Sequence, residues 1–376
     1  MGVFNTYIQN IKLLIGGVIM VFYNDRSSIV TDSFGNIYYV EYREEVLILF
    51  YFDCNSDKVE KKEITNNLLG EYDVAIKNDD SIYLIYQGID RHLYLFVINN
   101  GESEVVRITE VPVSNVYNLS LILDGEEIHI FYNILANEEK RNYNIYHHHF
   151  ANEDWNTTVV ADTNVLNILN PINLIYNMGI LYIVFYDLVD TEEIFIKSYD
   201  TVKQIWNDKI RLTYDSNTKL YLDTLLENNT MHLTYSRYVG GNLEIVYSKF
   251  NIEGNNFNKV KESILSNREN GSYPTLVKYQ DKLWVIWVEY DSLLSCYSTD
   301  NGDNWRGIYL WRETKSVDFV RYKYTTSIMK SINKKLNYSF GKIYPEITFL
   351  GFGPLENVIE IPLKKKSMRK LKIPRI

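Results

Sequence analysis

The 376-residue sequence is short of most residues that mark catalytic or cross-linked proteins. Its two cysteines, Cys54 and Cys296, cannot make a disulfide framework, so the fold must rest on its core. It lacks a phosphate loop, a CxxC pair, a nucleophile elbow and a dinucleotide fingerprint. It has no apolar run long enough to span a bilayer as a helix. The run "LLIGGVIMVFY" (residues 13–23) has the length of a signal-peptide core but no small-residue cleavage site after it. It is read as β structure, and a cytoplasmic setting is the default. The net charge of −9 argues against specific nucleic-acid binding, because phosphate affinity needs basic surface.

What is present is apolar and aromatic. Apolar residues make up 46% of the chain and there are 32 tyrosines, enough for a large core. The charge is uneven. Seven basic residues and no acid fall between Lys364 and Arg375, so residues 364–376 form a basic tail on an acidic body. Such a tail can meet an anionic partner or the body itself, and the leading expectation is a solvated tail.

The chain repeats itself. "IYYVEY" at Ile37, "IYLIYQ" at Ile82, "IHIFYN" at Ile128, "LYIVFY" at Leu181, "MHLTYS" at Met231 and "LWVIWV" at Leu283 share one pattern, about 45 to 53 residues apart. Each is short, rich in β-branched and aromatic residues, and preceded by a turn. An apolar stretch precedes each turn, and two more candidate strands follow. Four short strands per repeat predict an all-β propeller. Trp155, Trp206, Phe257 and Trp305 mark the start of the fourth strand. The predicted blades are 27–69, 70–114, 115–165, 166–217, 218–268 and 269–313, in one domain spanning 1–363. A seventh blade is expected from 314–363 with 1–26, because open sheet edges invite aggregation. Six blades is the alternative.

"STDNGDNW", Ser298 to Trp305, fits the pattern Ser/Thr-x-Asp-x-Gly-x-x-Trp. The chain therefore resembles the Asp-box (BNR-repeat), sialidase-like β-propeller superfamily. "HFANEDW", "SYDTVKQIW" and "NIEGNNF" are degraded copies. The physical reading is structural. Asp300 should accept hydrogen bonds from turn amides, Gly302 should supply a positive φ, and Trp305 should pack while its indole N–H finds a carbonyl. The resemblance implies that this turn lies on the blade periphery. It would also imply three substrate-binding arginines, a Tyr–Glu nucleophile pair and an Asp acid/base. No catalytic residue can be carried over: the Phe/Tyr-Arg-Ile-Pro motif is absent, and "KIPRI" at the C-terminus has the wrong order and place.

Loops after the second strands are expected at the channel mouth. They offer Arg43, Arg91, Asp187, Arg237, Tyr238, Glu289 and Tyr290 as ligand contacts. Tyr72, Tyr117, Tyr221 and Tyr273 should face the same rim, since aromatic rings beside polar groups suit sugars or peptides. "YHHHF" (His147, His148, His149) lies one hairpin from His129, which should come opposite His148 or a neighbour. Imidazoles so placed can bind zinc or copper, but with no cysteine nearby the expected role is a polar blade surface, with no metal and no cofactor. The leading expectation is a non-catalytic binding or scaffold protein holding a glycan or protein on the channel face. The alternatives are a sialidase-like glycoside hydrolase or lyase, and a structural component of a bacterial spore or phage-type assembly. The last rests on a composition heavy in Asn, Ile, Lys and Tyr.

Overall fold

The structure, a computed structural model, describes residues 27–56, 58–99, 101–166, 169–328, 334–343 and 346–364. The strands group into six sheets, antiparallel within each blade, arranged as a six-bladed propeller. Their inner strands are Ser27–Thr31, Leu68–Ile76, Val116–Asp124, Asn173–Asn177, Lys219–Glu227 and Ser272–Tyr279. In each blade the chain then steps outward, strand by strand, through tight turns. The six hexapeptides are second strands; Ile37–Arg43, Ile82–Gly88 and Lys282–Glu289 are examples. These strands are buried on both faces because neighbouring blades cover them. They therefore read as near-continuous apolar runs, and Leu181, Ile183, Val184 and Phe185 are essentially inaccessible. The fourth strands are polar and exposed, as in Glu102–Arg107. Among the described residues, no helix is long and apolar enough to cross a membrane. Both cysteines are free.

The expected seventh blade is replaced by a wedge. Val320–Thr326 pairs in parallel with the inner strand of blade 1. Tyr338–Gly341 pairs with Val320–Thr326, and Lys334–Leu336 pairs with the inner strand of blade 6. The C-terminal strands are too few and too short for a sheet of their own, so they saturate the two open edges that flank the ring closure. Val358–Glu360 adds to the outer edge of blade 6. The part of the expected blade that falls on residues 1–26 lies outside the described residues, as does the basic tail beyond Lys364. Lys364 itself reaches the body: its Nζ is 2.5 Å from the Glu269 carboxylate.

The Asp-box turn holds itself together largely as its residues suggest. Asn304 N–H and the Ser298 hydroxyl donate to Asp300 Oδ1 at 2.8 and 2.7 Å, and Gly302 N–H donates to Ser298 Oγ at 2.8 Å. Hydrogen bonds from Asn304 and Ser298 pull the Asp300 pKa below the usual carboxylate range. Gly302 has φ +87°. Trp305 packs edge-on against Tyr247, with ring centroids 4.7 Å apart. Its indole N–H, however, is buried without a hydrogen-bond partner. The ring is held by packing, and no carbonyl lies within reach.

Candidate functional site

The channel is built from one repeated position. In each blade, take the inner-strand residue that pairs with the first residue of the second-strand hexapeptide. Three residues earlier stand Ser28, Asp73, Ser120, Asn173, Asp223 and Thr275. All six are polar, and they form a ring inside an otherwise apolar wall. The ring locks neighbouring blades. Asp73 Oδ2 accepts the Leu121 N–H of the next blade at 2.7 Å, and Asp223 Oδ2 accepts the Leu276 N–H of the next at 2.8 Å. Asn173 bonds the side chains of Asp223 and Thr224. Asp223 is fully buried, and burial raises its pKa to about 6 despite the opposing Arg321 charge.

The register of the inner strand shifts just before the ring in blades 2, 3, 5 and 6, and in the last three the shift is a bulge at the same position. Asn118, Tyr221 and Tyr273 occupy it at φ between +52° and +55°. For a tyrosine this backbone is strained by about 1 kcal/mol or more. The Tyr221 and Tyr273 rings meet at 4.2 Å. Tyr72 and Tyr117 stand one residue to either side of the equivalent position, so the four tyrosines do not make one rim. Tyr72 is buried with its hydroxyl on the Val40 carbonyl, while Tyr117 is half-exposed beside Tyr143.

The C-terminal wedge supplies the cations of the channel. Lys323 Nζ lies 2.6 and 2.7 Å from the two Asp73 oxygens. Arg321 Nε donates to Thr275 Oγ1 at 2.9 Å. Lys335 reaches the Leu226 carbonyl, and Asn337 Nδ2 donates to the Thr224 carbonyl. The wedge thus covers the ring at blades 1, 2, 5 and 6. A cavity of about 530 Å³ remains, walled mainly by the inner strands of blades 2 to 4. Glu71, Asn118, Ser120, Asn173, Lys323 and Tyr273 are among its lining residues.

The seven residues expected at the channel mouth are not brought together, and none lines this cavity. They sit on or beside hairpins between second and third strands, one strand farther from the axis. Arg43 is 3.6 Å from Glu44. Arg91 is exposed in a turn at φ +67°. Asp187 is buried, accepts the Asn164 and Leu188 N–H groups, and pairs with Lys209 at 2.7 Å. Tyr238 and Tyr290 are exposed, and the Tyr290 hydroxyl donates to Glu269. Glu289 accepts the Trp287 indole N–H, and burial raises its pKa.

Arg237 belongs to a chain of charges along the seam of blades 4 and 5. It holds Asp215 and Glu244, each at 2.8 Å. Asp215 holds Lys219, Lys219 holds Glu193, and Glu193 holds Arg211, while Arg268 closes on Glu244. Burial opposes the Arg237 charge, but its bonds to Asp215 and Glu244 raise its pKa overall.

The histidine run is not a polar blade surface. His129, His147, His148 and His149 are all at most 6% exposed. His129 pairs directly across the strands with His149. The rings of His129, His147 and His149 sit in the seam with blade 4, edge-on to Tyr199, while His148 on the other face stacks on Trp155. Burial lowers the pKa of His129 to about 3, of His147 to about 2 and of His148 to about 4, with the neighbouring histidines adding to the effect.

No protein-family model matches the chain, and no curated protein matches it. The Asp-box resemblance therefore stays with the turn that carries it. Among solved structures, the BP39L lectin from Burkholderia pseudomallei is similar at a TM-score of 0.55 and 10% identity, over 87% of this chain and 95% of that one. A structure from a study of two prolyl endopeptidases is similar at 0.51 and 10% identity, over 76% of this chain and 41% of that one. The fucose-specific lectin from Aleuria aurantia is similar at 0.47 and 11% identity, over 77% of this chain and 96% of that one. At such identities the likeness concerns the propeller fold.

Proposed function

We propose that this chain is a non-catalytic binding protein that takes a saccharide in the blade 2 to 4 half of its channel. The observation that carries the reading is the cavity itself. It joins ring residues Ser120 and Asn173, together with Asn118, to the aromatic side chain of Tyr273. Sugars need that pairing, since hydroxyls want hydrogen-bond partners and the C–H faces want an aromatic surface. Two strained tyrosines at the channel wall fit a site where backbone energy has been committed to position.

Hydrolysis is the weaker reading. Glycosidases need two carboxyl groups facing the substrate at a defined separation. The carboxylates among the described lining residues are Glu71 and Asp73: Asp73 is committed to the Leu121 N–H and to Lys323, and Glu71 accepts the Leu119 N–H at 3.2 Å. Arg321 is the one arginine among the described lining residues, where a sialidase-type site would gather three. The similarity to a lectin fold agrees with sugar binding without naming the sugar.

Ser120→Trp is the test, because it fills the cavity from a half-buried position and gives up only the Ser120 Oγ hydrogen bond to the Asn118 carbonyl. Glycan-array screening followed by calorimetry should find a saccharide that the parent chain binds and Ser120→Trp does not, at equal thermal stability. An array with no hit, or binding that Ser120→Trp leaves intact, removes the channel as the site.

A further inference from the structure

We infer that the turn and third strand of blade 3 form a zinc site, with His129 Nε2, His149 Nε2 and Glu127 Oε2 as ligands and Asp124 completing the set. The inference is independent of the saccharide reading, because the residues lie in the seam between blades 3 and 4.

Glu127 Oε2 stands 3.0 Å from His149 Nε2 and 3.5 Å from His129 Nε2. Four-coordinate zinc with bonds of about 2.0 to 2.1 Å has ligands about 3.3 to 3.4 Å apart, so these separations already match a tetrahedral edge. The carboxylate of Asp124 joins the group: one ligand atom each from Asp124, Glu127 and His129 lie within 4.8 Å of one another. Two imidazoles and two carboxylates suit a borderline divalent ion.

A second observation points to a ligand. His129 Nε2 is buried, aimed at this cluster, and makes no hydrogen bond. A polar atom buried without a partner is unfavourable, so the site calls for one. Its other nitrogen is engaged, since His129 Nδ1 is 2.9 Å from His147 Nε2. With the proton on Nδ1 donated to His147, a lone pair on Nε2 faces Glu127 and His149. His147 is then a positioning residue that fixes the tautomer, the part an outer-shell partner plays at metal sites.

The sequence places these groups without special loops. His129 and His149 are direct cross-strand partners, so their rings stack at 4.3 Å and 10°. Glu127 is two residues before His129 on the same strand and therefore on the same face. The rings need only tilt toward each other to share an ion. Glu127 is about one-third exposed, which leaves an entry path at the turn.

Untagged protein stripped by a chelator is titrated with Zn2+ by calorimetry and with Co2+ by visible absorption. The expected result is one ion per chain, the intense bands of four-coordinate Co2+, and a higher Tm with Zn2+. Glu127→Gln, at a partly exposed position where folding should survive, should weaken Zn2+ binding at least about tenfold. Circular dichroism of the metal-free variant checks its fold, and Asp124→Asn serves as a second variant in the same assay. No binding, an octahedral Co2+ spectrum, or binding that neither variant weakens overturns the inference.

Discussion

Gly302 and Gly254 ask the same question of two related turns and receive different answers. Both have positive φ, +87° and +60°. A Cβ on Gly254 would meet open space, whereas one on Gly302 would lie 1.9 Å from Tyr247 Oη. That hydroxyl cannot retreat cheaply, because it is buried and lies 2.7 Å from His232 Nδ1. Gly254→Ala should therefore cost only backbone strain, about 1 kcal/mol, and Gly302→Ala about 3 kcal/mol. Urea denaturation of the two variants measures the difference, and equal midpoints would refute the steric argument. The turn was legible in the sequence because its residues act on each other within eight positions. The partnerless Trp305 indole was not, since whether a carbonyl lies nearby depends on the neighbouring blade.

Among the elements, the second strands were readable and the wedge was not. A second strand announces itself by an apolar run after a turn, a purely local signal. The strand Val320–Thr326 looks equally like a strand, but its parallel partner lies almost 300 residues earlier and nothing local names it. Likewise, Arg43, Arg237 and Glu289 were chosen from hairpins, while the channel is lined by inner-strand residues that look like framework. Repetition narrows the ring only to a polar residue eight or nine positions before each hexapeptide, and the strand pairing decides which of the two it is. The wedge makes a testable claim about its anchor. Lys323→Met leaves the 6%-exposed Asp73 with no cation, and breaking such a pair costs about 3 kcal/mol. Adding Asp73→Asn should recover part of that loss, even though one acceptor for the Leu121 N–H changes character. A double variant no more stable than Lys323→Met would show that the charge pair is not what anchors the wedge.

For the whole molecule, the buried histidines set a pH limit. His232 has its pKa lowered to about 3, first by burial, then by Lys249, Lys278 and Lys335, against a smaller pull from Asp303. His129, His147 and His148 shift the same way. Each is uncharged in the fold but titrates near 6.5 when unfolded. Below pH 6.5 the unfolded chain therefore binds more protons, and stability falls as pH falls, by about 1.4 kcal/mol per unit for each histidine. Asp223 works in the opposite direction between about pH 6 and 4, and so do Glu192 and Glu289, whose pKa values burial also raises, but the four histidines act from pH 6.5 downward. The urea midpoint should drop steeply from pH 7 to pH 5, and a flat profile would mean that these rings are not held neutral in the fold. The wedge adds a constraint of another kind, in the order of synthesis. The inner edge of blade 1 is made first, and the strand that covers it is made after all six blades. At roughly 5 to 20 residues per second, that edge waits on the order of 15 to 60 s on the ribosome before its partner emerges. The wedge docks late, so a nascent chain stalled before Val320 carries six blades with the inner edges of blades 1 and 6 uncovered.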